Sequence, residues 1–268
     1  MLDRQAARAA SRLLVEHWEA GTRLPALPPE LRPATRAEGY LIQAELMAHT
    51  AAPLFGWKIA ATSVAGQHHI RVDGPLAGRL LAEKVIPDGA TVSLATSLMR
   101  CVEVEFAFRM GRNLAPRAGG YAVDEVMAAV AALHPAIELP DSRFEDFTVP
   151  GAPQLIADDA CAAWFLLGPE ADPGWRELDL AEHPVHARWA GGTRTGRGGN
   201  ALGDPRVALT WLVNELSGLG IALGAGEIVT TGTCLVPVDV VPGDEVWAGL
   251  DGMGEIHVRF DGAGEGTA

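Results

Sequence analysis

The sequence predicts an α+β protein in which a mixed β-roll or sandwich is flanked by helices and preceded by a helical N-terminal segment. Short β-prone runs alternate with glycine and proline from about residue 55 onward, and the chain holds 31 glycines and 18 prolines. These runs show no regular strand–helix–strand rhythm, which argues against a doubly wound parallel sheet. A length of 268 residues fits one large domain with a helical extension.

The N-terminal segment is predicted to contain two helices. Residues 3–20 place apolar side chains at helical spacing. The following stretch, 24–33, contains four prolines and is predicted to be a linker. A capping-box pattern at residues 35–38 then starts the second helix. We therefore divide the chain into a helical segment, residues 1–52, and a β-rich domain, residues 53–268.

The β-rich part is predicted to contain further strands and helices at defined places. The strands are expected at residues 56–60, 91–94, 102–108, 136–139, 185–189, 227–231, 245–248 and 256–260. Helices are expected at residues 123–133 and 205–219. The glycine-rich stretch 191–200 matches no phosphate-binding pattern and favours a flexible hairpin turn.

Charge and composition exclude several classes of function. The net charge is 21 − 34 = −13, which disfavours binding to nucleic acid or to an anionic membrane. Three widely spaced cysteines form neither a disulfide framework nor a zinc motif. We expect no signal peptide, since the N-terminal residues contain no apolar run, and no apolar stretch reaches the ~20 residues of a membrane helix. We expect a cytoplasmic protein, and an anionic substrate would need local positive charge such as a metal ion.

The run Cys101–Phe108 carries the first candidate site. On a strand, side chains alternate between faces, so Glu103 and Glu105 share one face about 7 Å apart while the apolar residues between them face a core. By itself this pattern is typical of a solvated outer face. A third carboxylate, Glu138, lies in another apolar run, where it could equally form a salt bridge. Three carboxylates together would suit Mg²⁺ or Mn²⁺.

Lys58 is the second candidate, because it interrupts an apolar strand. A lysine held there needs a carboxylate partner, and it could bind a substrate carboxylate or transfer a proton. The alternative is a surface lysine whose stem packs on apolar neighbours. The eight histidines show no metal-ligand spacing, and no motif indicates a covalent nucleophile.

Taken in order, several segments resemble the 2-keto-4-pentenoate hydratase family. The matching segments are GWKIAATS (56–63) with GWKIGLTS, EVEFAF (103–108) with EVEIAF, IEL and DSR (137–143) with EIVDSR, ADDA (157–160) with ADNA, LGDP and WLVN (202–214) with LGNP and WLAN, and AGEIV, TGT and PGD (225–244) with AGEIV, TGS and PGD. Single segments are weak, but the ordered set spans nearly the whole chain and is specific.

The resemblance implies a fumarylacetoacetase-like fold, a Mg²⁺ or Mn²⁺ cofactor and a homo-oligomer. It implies metal ligation by Glu103, Glu105 and Glu138 and an active-site role for Lys58, and it places Ser63, Gly232 and Thr233 at the substrate. The implied reaction adds water to a 2-hydroxy-2,4-dienoate to give a 4-hydroxy-2-oxo acid, as in the meta-cleavage degradation of aromatic compounds.

The sequence departs from the family at three places. One is the segment at residues 59–63, which reads IAATS here and IGLTS in the family. The family's aspartate after the proline of its VDEPDFG segment is Leu76 here, and Asp73 is the predicted stand-in as a catalytic group. The asparagine of ADNA is Asp159. Two alternatives therefore stay open: a 4-oxalocrotonate-type decarboxylase, and a weakly active partner subunit in a complex of a decarboxylase with a hydratase.

Overall fold

The computed structural model describes residues 2–261, which form six α-helices and twelve β-strands. The helices are α1 (Arg4–Ala20), α2 (Arg36–Ala44), α3 (Val64–His69), α4 (Val123–Met127), α5 (Ala152–Ala157) and α6 (Pro205–Gly218). The strands are β1 (Leu54–Ala60), β2 (Leu76–Leu81), β3 (Thr91–Ser93), β4 (Cys101–Met110), β5 (Val130–Leu139), β6 (Trp164–Leu167), β7 (Pro184–Trp189), β8 (Gly192–Arg197), β9 (Ile228–Thr230), β10 (Val238–Asp239), β11 (Glu245–Leu250) and β12 (Gly254–Asp261).

The strands form two sheets, which confirms the predicted mixed β architecture. The first has the order β2-β1-β9-β4-β5-β6, with β10 added to β4, and the second has the order β3-β12-β11-β7-β8. Most neighbours are antiparallel, but β1 and β9 run parallel, as do β12 and β3. A bridge between Val85 and Phe165 joins the chain after β2 to β6, so the first sheet curls until its two edges meet.

Strand β4 shows why the sheets pack as they do. Its Val102, Val104, Phe106 and Phe108 are fully buried on one face, where β11 and β7 pack against β4. The two glutamates between them project from the opposite face, into the concave side of the curled sheet. This alternation confirms the apolar core face predicted for residues 102–108.

Helices cover the outer edge of β2. The side-chain amide of Gln43, in α2, donates to the carbonyls of Ala77 and Ile156, 2.8 Å and 3.1 Å away. The Tyr40 hydroxyl accepts from the Ala77 amide at 3.2 Å. Both N-terminal helices start as predicted, with Asp3 capping α1 and Thr35 capping α2. The division of the chain at residues 52 and 53 stays a prediction.

The helix expected at residues 123–133 is only partly present, because α4 ends at Met127 and β5 begins at Val130. Alanines favour a helix here, but pairing of β5 with both β4 and β6 outweighs that preference. The glycine-rich stretch 191–200 is mostly strand β8, which pairs with β7 in a hairpin, followed by a short 3-10 turn, so the predicted turn covers only its first residues. Within residues 2–261, no helix is both long and apolar enough to span a membrane.

Candidate active site

The concave face of the first sheet brings three glutamates together. In the antiparallel pairing of β4 with β5, Glu103 lies directly opposite Glu138, and Glu105 follows two residues along the same face. One carboxylate oxygen from each of the three lies within 4.8 Å of the others. Glu105 and Glu138 are 0% and 1% exposed, whereas Glu103 is half-buried. The cluster therefore opens toward solvent on the Glu103 side.

Lys58 of β1 completes what we call the glutamate cluster: Glu103, Glu105, Glu138 and Lys58. The side chain is 2% exposed, and its Nζ lies 2.8 Å from Glu138 Oε1. Nζ also donates to the Ala160 carbonyl at 2.9 Å. Burial alone would lower the pKa of Lys58, but the carboxylates of Glu138 and Glu103 outweigh burial and raise it. Lys58 is therefore an ammonium ion at neutral pH, not a surface lysine.

The carboxylates carry more negative charge than Lys58 neutralises. Burial, with repulsion from Glu138, raises the pKa of Glu103 to about 7, and burial also raises the pKa values of Glu105 and Glu138. Among the described residues, Glu105 Oε1 and Glu138 Oε2 have no hydrogen-bond partner. With all three carboxylates ionised, one ammonium would leave an excess of two negative charges, which a bound divalent cation would offset. Hard oxygen ligands with unused lone pairs fit a divalent cation such as Mg²⁺.

A glycine turn supports the second carboxylate. The Gly232 amide donates to Glu105 Oε2 at 2.8 Å. Gly232 has a φ of 92°, and a side chain there would collide with Thr62, so glycine is required at this close approach. The neighbouring Thr233 is half-buried, and its hydroxyl donates to the Leu235 carbonyl at 2.8 Å.

The segment that contacts Lys58 has an unusual backbone. Asp159, Ala160 and Cys161 have φ values of 53°, 52° and 61°, the left-handed region that costs non-glycine residues roughly 1–2 kcal/mol each. The Asp159 side chain is 2% exposed, and its Oδ1 accepts the backbone N–H of Arg79 at 2.7 Å. Burial raises the pKa of Asp159 to about 7.

A second buried charge group, the arginine cluster of Ser142, Arg143 and Asp158, lies just before this segment. Arg143 and Asp158 are 2% and 1% exposed and form an ion pair through Nε and Oδ1. The Ser142 hydroxyl donates to Asp158 Oδ2 at 2.7 Å, and Arg143 Nη1 donates to the Ala162 carbonyl at 2.7 Å. In this cluster the Arg143 guanidinium neutralises the Asp158 carboxylate, and both oxygens of Asp158 have partners.

The remaining predicted site residues are spread over β1, β2 and their connection. Leu76 is fully buried and pairs with Ala60, which places it on the same sheet face as Lys58. Ser63 is exposed and caps α3, accepting the Gly66 amide at 3.0 Å. The Asp73 side chain is 80% exposed and pairs with Arg36 at 2.8 Å. The structure therefore does not bring Asp73 into the glutamate cluster.

Two partners of Lys58 were not predicted. The Ala160 carbonyl is a backbone group, and sequence reasoning has no signal for the three left-handed residues around it. Gly78 lies opposite Lys58 in β2, and an added Cβ would lie 2.5 Å from the Asp159 carbonyl oxygen and 2.9 Å from Lys58 Cδ. In the sequence, only the presence of Asp159 where the family has asparagine indicated that this segment is unusual.

Comparison with known proteins gives a consistent result. The model of the fumarylacetoacetate hydrolase C-terminal family matches residues 49–261. The chain is 32% identical to a 2-keto-4-pentenoate hydratase of Paraburkholderia xenovorans, covering 77% of this chain and 76% of that one. It is 29% identical to a 4-oxalocrotonate decarboxylase of Pseudomonas sp. strain CF600, covering 84% and 86%.

Solved structures show the same relationship. The structure of 4-oxalocrotonate decarboxylase from Pseudomonas putida G7, in complex with magnesium and adipate, superposes with a TM-score of 0.87. The two sequences are 25% identical, and the match covers 97% of this chain and 99% of that one. This extent of agreement includes both sheets and the N-terminal helices.

Proposed function

The chain belongs to the fumarylacetoacetate hydrolase C-terminal family, among the 2-keto-4-pentenoate hydratases, and from this premise we propose that it is a Mg²⁺-dependent hydratase. The reaction adds water to a 2-hydroxy-2,4-dienoate, by way of its 2-oxo-enoate form, and gives a 4-hydroxy-2-oxo acid. Support comes from the hydratase relatives and from a buried acidic site suited to a divalent cation.

The observation that carries the proposal is the charge imbalance of the glutamate cluster. Buried carboxylates without partners are costly unless a cation or a proton compensates them. Glu103, Glu105 and Glu138 are the residues that would hold the metal, and Mn²⁺ is the alternative ion. When bound, the divalent ion would act as a Lewis acid toward the 2-oxo acid and offset its negative charge.

Lys58 binds the substrate through its ammonium group. An ammonium group has three N–H donors, and Glu138 and the Ala160 carbonyl use two of them. The third donor is available to a substrate oxygen on the concave face of the sheet. Because the pKa of Lys58 is raised, the side chain stays protonated and serves as a charged hydrogen-bond donor rather than as a base.

Gly232, Thr233 and Ser63 have different supporting roles in this proposal. Gly232 fixes Glu105 through its amide, and Thr233 follows it at the rim of the same turn. Ser63 begins α3 directly after β1, the strand that carries Lys58. We place the substrate between this strand end and the turn at residues 232 and 233.

A 4-oxalocrotonate-type decarboxylase is the second candidate. It is favoured by the superposition on the decarboxylase of Pseudomonas putida G7, which covers 97% of this chain. The apolar Leu76 on the site face also favours a substrate range different from that of hydratases with aspartate there. Asp73 could assist proton transfer only if the connection between α3 and β2 moved its exposed side chain inward.

The decarboxylase relative also supports an assembly in which this chain associates with a related decarboxylase or hydratase. A homo-oligomer and a cytoplasmic location remain parts of the proposal. Turnover by the isolated chain separates an active enzyme from a weakly active partner subunit.

The test is turnover of a substrate panel in the presence of Mg²⁺, followed by loss of ultraviolet absorbance and by product mass. The panel pairs 2-hydroxypenta-2,4-dienoate with 4-oxalocrotonate. We expect the dienoate product to gain the mass of one water. Loss of carbon dioxide from 4-oxalocrotonate would identify the decarboxylase instead, and no turnover of either compound would contradict both assignments.

A further inference from the structure

We infer that Asp159 is a positioning residue, which fastens the turn at residues 159–161 to β2 and so holds the Ala160 carbonyl against the Lys58 ammonium. The inference rests on the proposed function for its consequence in catalysis. We call the hydrogen bond between Asp159 and the Arg79 amide, together with the turn that it holds, the clamp. The clamp can be tested without measuring turnover.

The first support is the hydrogen bond that the Asp159 side chain accepts from β2. β2 is an edge strand of the first sheet, and the Arg79 amide points away from β1. Asp159 Oδ1 accepts this amide at 2.7 Å, in a place where only 2% of the side chain is exposed. A buried edge amide needs an acceptor, and the carboxylate supplies one from a different part of the chain.

The second support is the close approach of the turn to Gly78. The Asp159 carbonyl lies where a Cβ on Gly78 would be only 2.5 Å away, and the same Cβ would lie 2.9 Å from Lys58 Cδ. Gly78 and Lys58 are directly opposite each other in the β1–β2 pairing. The turn therefore crosses β2 at the one residue without a side chain, and it reaches Lys58 over that residue.

The third support is the strain in the turn. Three successive non-glycine residues, 159–161, have left-handed backbone angles, and such conformations persist only where surrounding contacts hold them. The Asp159 hydrogen bond is one such contact at the start of the turn. Without it, the Ala160 carbonyl would lose its fixed place, and the Lys58 ammonium would keep only its Glu138 partner.

The acceptor, rather than the negative charge, is the feature that the clamp requires. An asparagine in place of Asp159 would carry the same Oδ1 acceptor without the charge, whereas an alanine would carry neither. Asp159→Asn and Asp159→Ala therefore separate the clamp from an electrostatic effect of the carboxylate on Lys58 or Arg79.

The experiment compares wild type, Asp159→Ala and Asp159→Asn by steady-state kinetics, Mg²⁺ calorimetry and amide hydrogen exchange. In Asp159→Ala we expect kcat to fall roughly 10- to 100-fold, as for a displaced reacting group. KM and Mg²⁺ affinity should change by less than about threefold, because the metal ligands are untouched. Asp159→Asn should retain kcat within about threefold of wild type, since its acceptor is preserved.

The exchange rate of the Arg79 amide reports on the clamp independently of catalysis. The Arg79 amide should exchange faster in Asp159→Ala and remain protected in Asp159→Asn. If wild type turns over no substrate, the proposed function fails, and the exchange data still decide the clamp. If Asp159→Ala does not fold, Gly78→Ala displaces the turn from the other side and should show the same loss of kcat with Mg²⁺ affinity retained.

Two results would overturn the inference. One is wild-type exchange at Arg79 in Asp159→Ala. The other is an Asp159→Asn variant as impaired in kcat as Asp159→Ala, which would assign the effect to the charge.

Discussion

The arginine cluster and the glutamate cluster are both buried, yet they differ in how their charges are balanced. In the arginine cluster, Arg143 and Asp158 neutralise each other, and both oxygens of Asp158 accept hydrogen bonds. In the glutamate cluster, Lys58 faces three carboxylates, and oxygens of Glu105 and Glu138 lack partners within residues 2–261. Removing one partner of a balanced buried pair leaves an unpaired charge and destabilises the fold, whereas carboxylate oxygens without partners are available to a ligand.

The largest expected effect is on the free energy of unfolding, which a substitution in the arginine cluster should lower and a substitution in the glutamate cluster should not. Arg143→Met leaves the buried Asp158 carboxylate without its cation, and we expect a loss of about 3–5 kcal/mol in the free energy of unfolding. Glu105→Gln removes one surplus charge and should not lower the stability of the metal-free protein. Urea denaturation without metal measures both, and equal losses would show that the clusters do not differ in this way.

Activity should depend on the glutamate cluster, in contrast to stability, which should depend on the arginine cluster. Lys58→Met is expected to lower turnover on the order of 10²-fold or more, because a charged hydrogen-bond donor at the substrate is lost. Lys84→Met is the matched control, since Lys84 is the chain's other lysine and lies over the Trp18 and Trp164 rings instead. A change of less than about threefold in Lys58→Met would remove Lys58 from the mechanism.

Added Mg²⁺ should stabilise the protein, and more strongly at pH 8 than at pH 6. At 100 times its Kd, an ion that binds only the folded state contributes about 2.7 kcal/mol. The pKa of Glu103 is raised to about 7, so protons compete with the metal below that pH. The metal-free protein should show the opposite pH dependence. Because the carboxyl pKa is raised in the folded state, its stability falls as pH rises from about 4.5 through 7. Thermal unfolding with and without Mg²⁺ at both pH values tests this, and a larger metal effect at pH 6 would contradict it.

The smallest expected effect concerns substrate range. Leu76→Asp should raise turnover of the five-carbon dienoate relative to longer or dicarboxylic 2-oxo acids. Asp73→Asn should change activity on the best substrate little, because the Asp73 side chain is 80% exposed and lies outside the glutamate cluster. Because Leu76 is fully buried, thermal stability must be measured in parallel. If Leu76→Asp folds and changes no substrate ratio, Leu76 is a neutral difference.

How far the sequence predicted these features depends on how local they are. The alternation of Glu103 and Glu105 with apolar residues predicted β4 and its two faces, because a two-residue period is local information. The strand character of residues 130–135 was missed, since it arises from the pairing of β5 with β4 at eight residue positions. Strands β2 and β6 were also missed, although they form the two edges of the curled sheet.

The site shows the same limit. Two same-face glutamates, a third glutamate in another apolar run and a lysine in an apolar strand could be predicted from the sequence. The position of Glu103 directly opposite Glu138 could not, because it depends on the register of β4 with β5. The contact from the Ala160 carbonyl to Lys58 could not be predicted, because it depends on a strained turn of ordinary residues held from a distant strand.

Calorimetric titration of Mg²⁺ tests the central claim, that the open cluster is a divalent-cation site. The titration is run on wild type and on Glu103→Gln, Glu105→Gln and Glu138→Gln. We predict one ion per chain in wild type and an affinity at least about tenfold weaker in each variant, since removing a direct ligand should cost no less than removing an outer-shell partner. Wild-type affinity in all three variants would contradict the account.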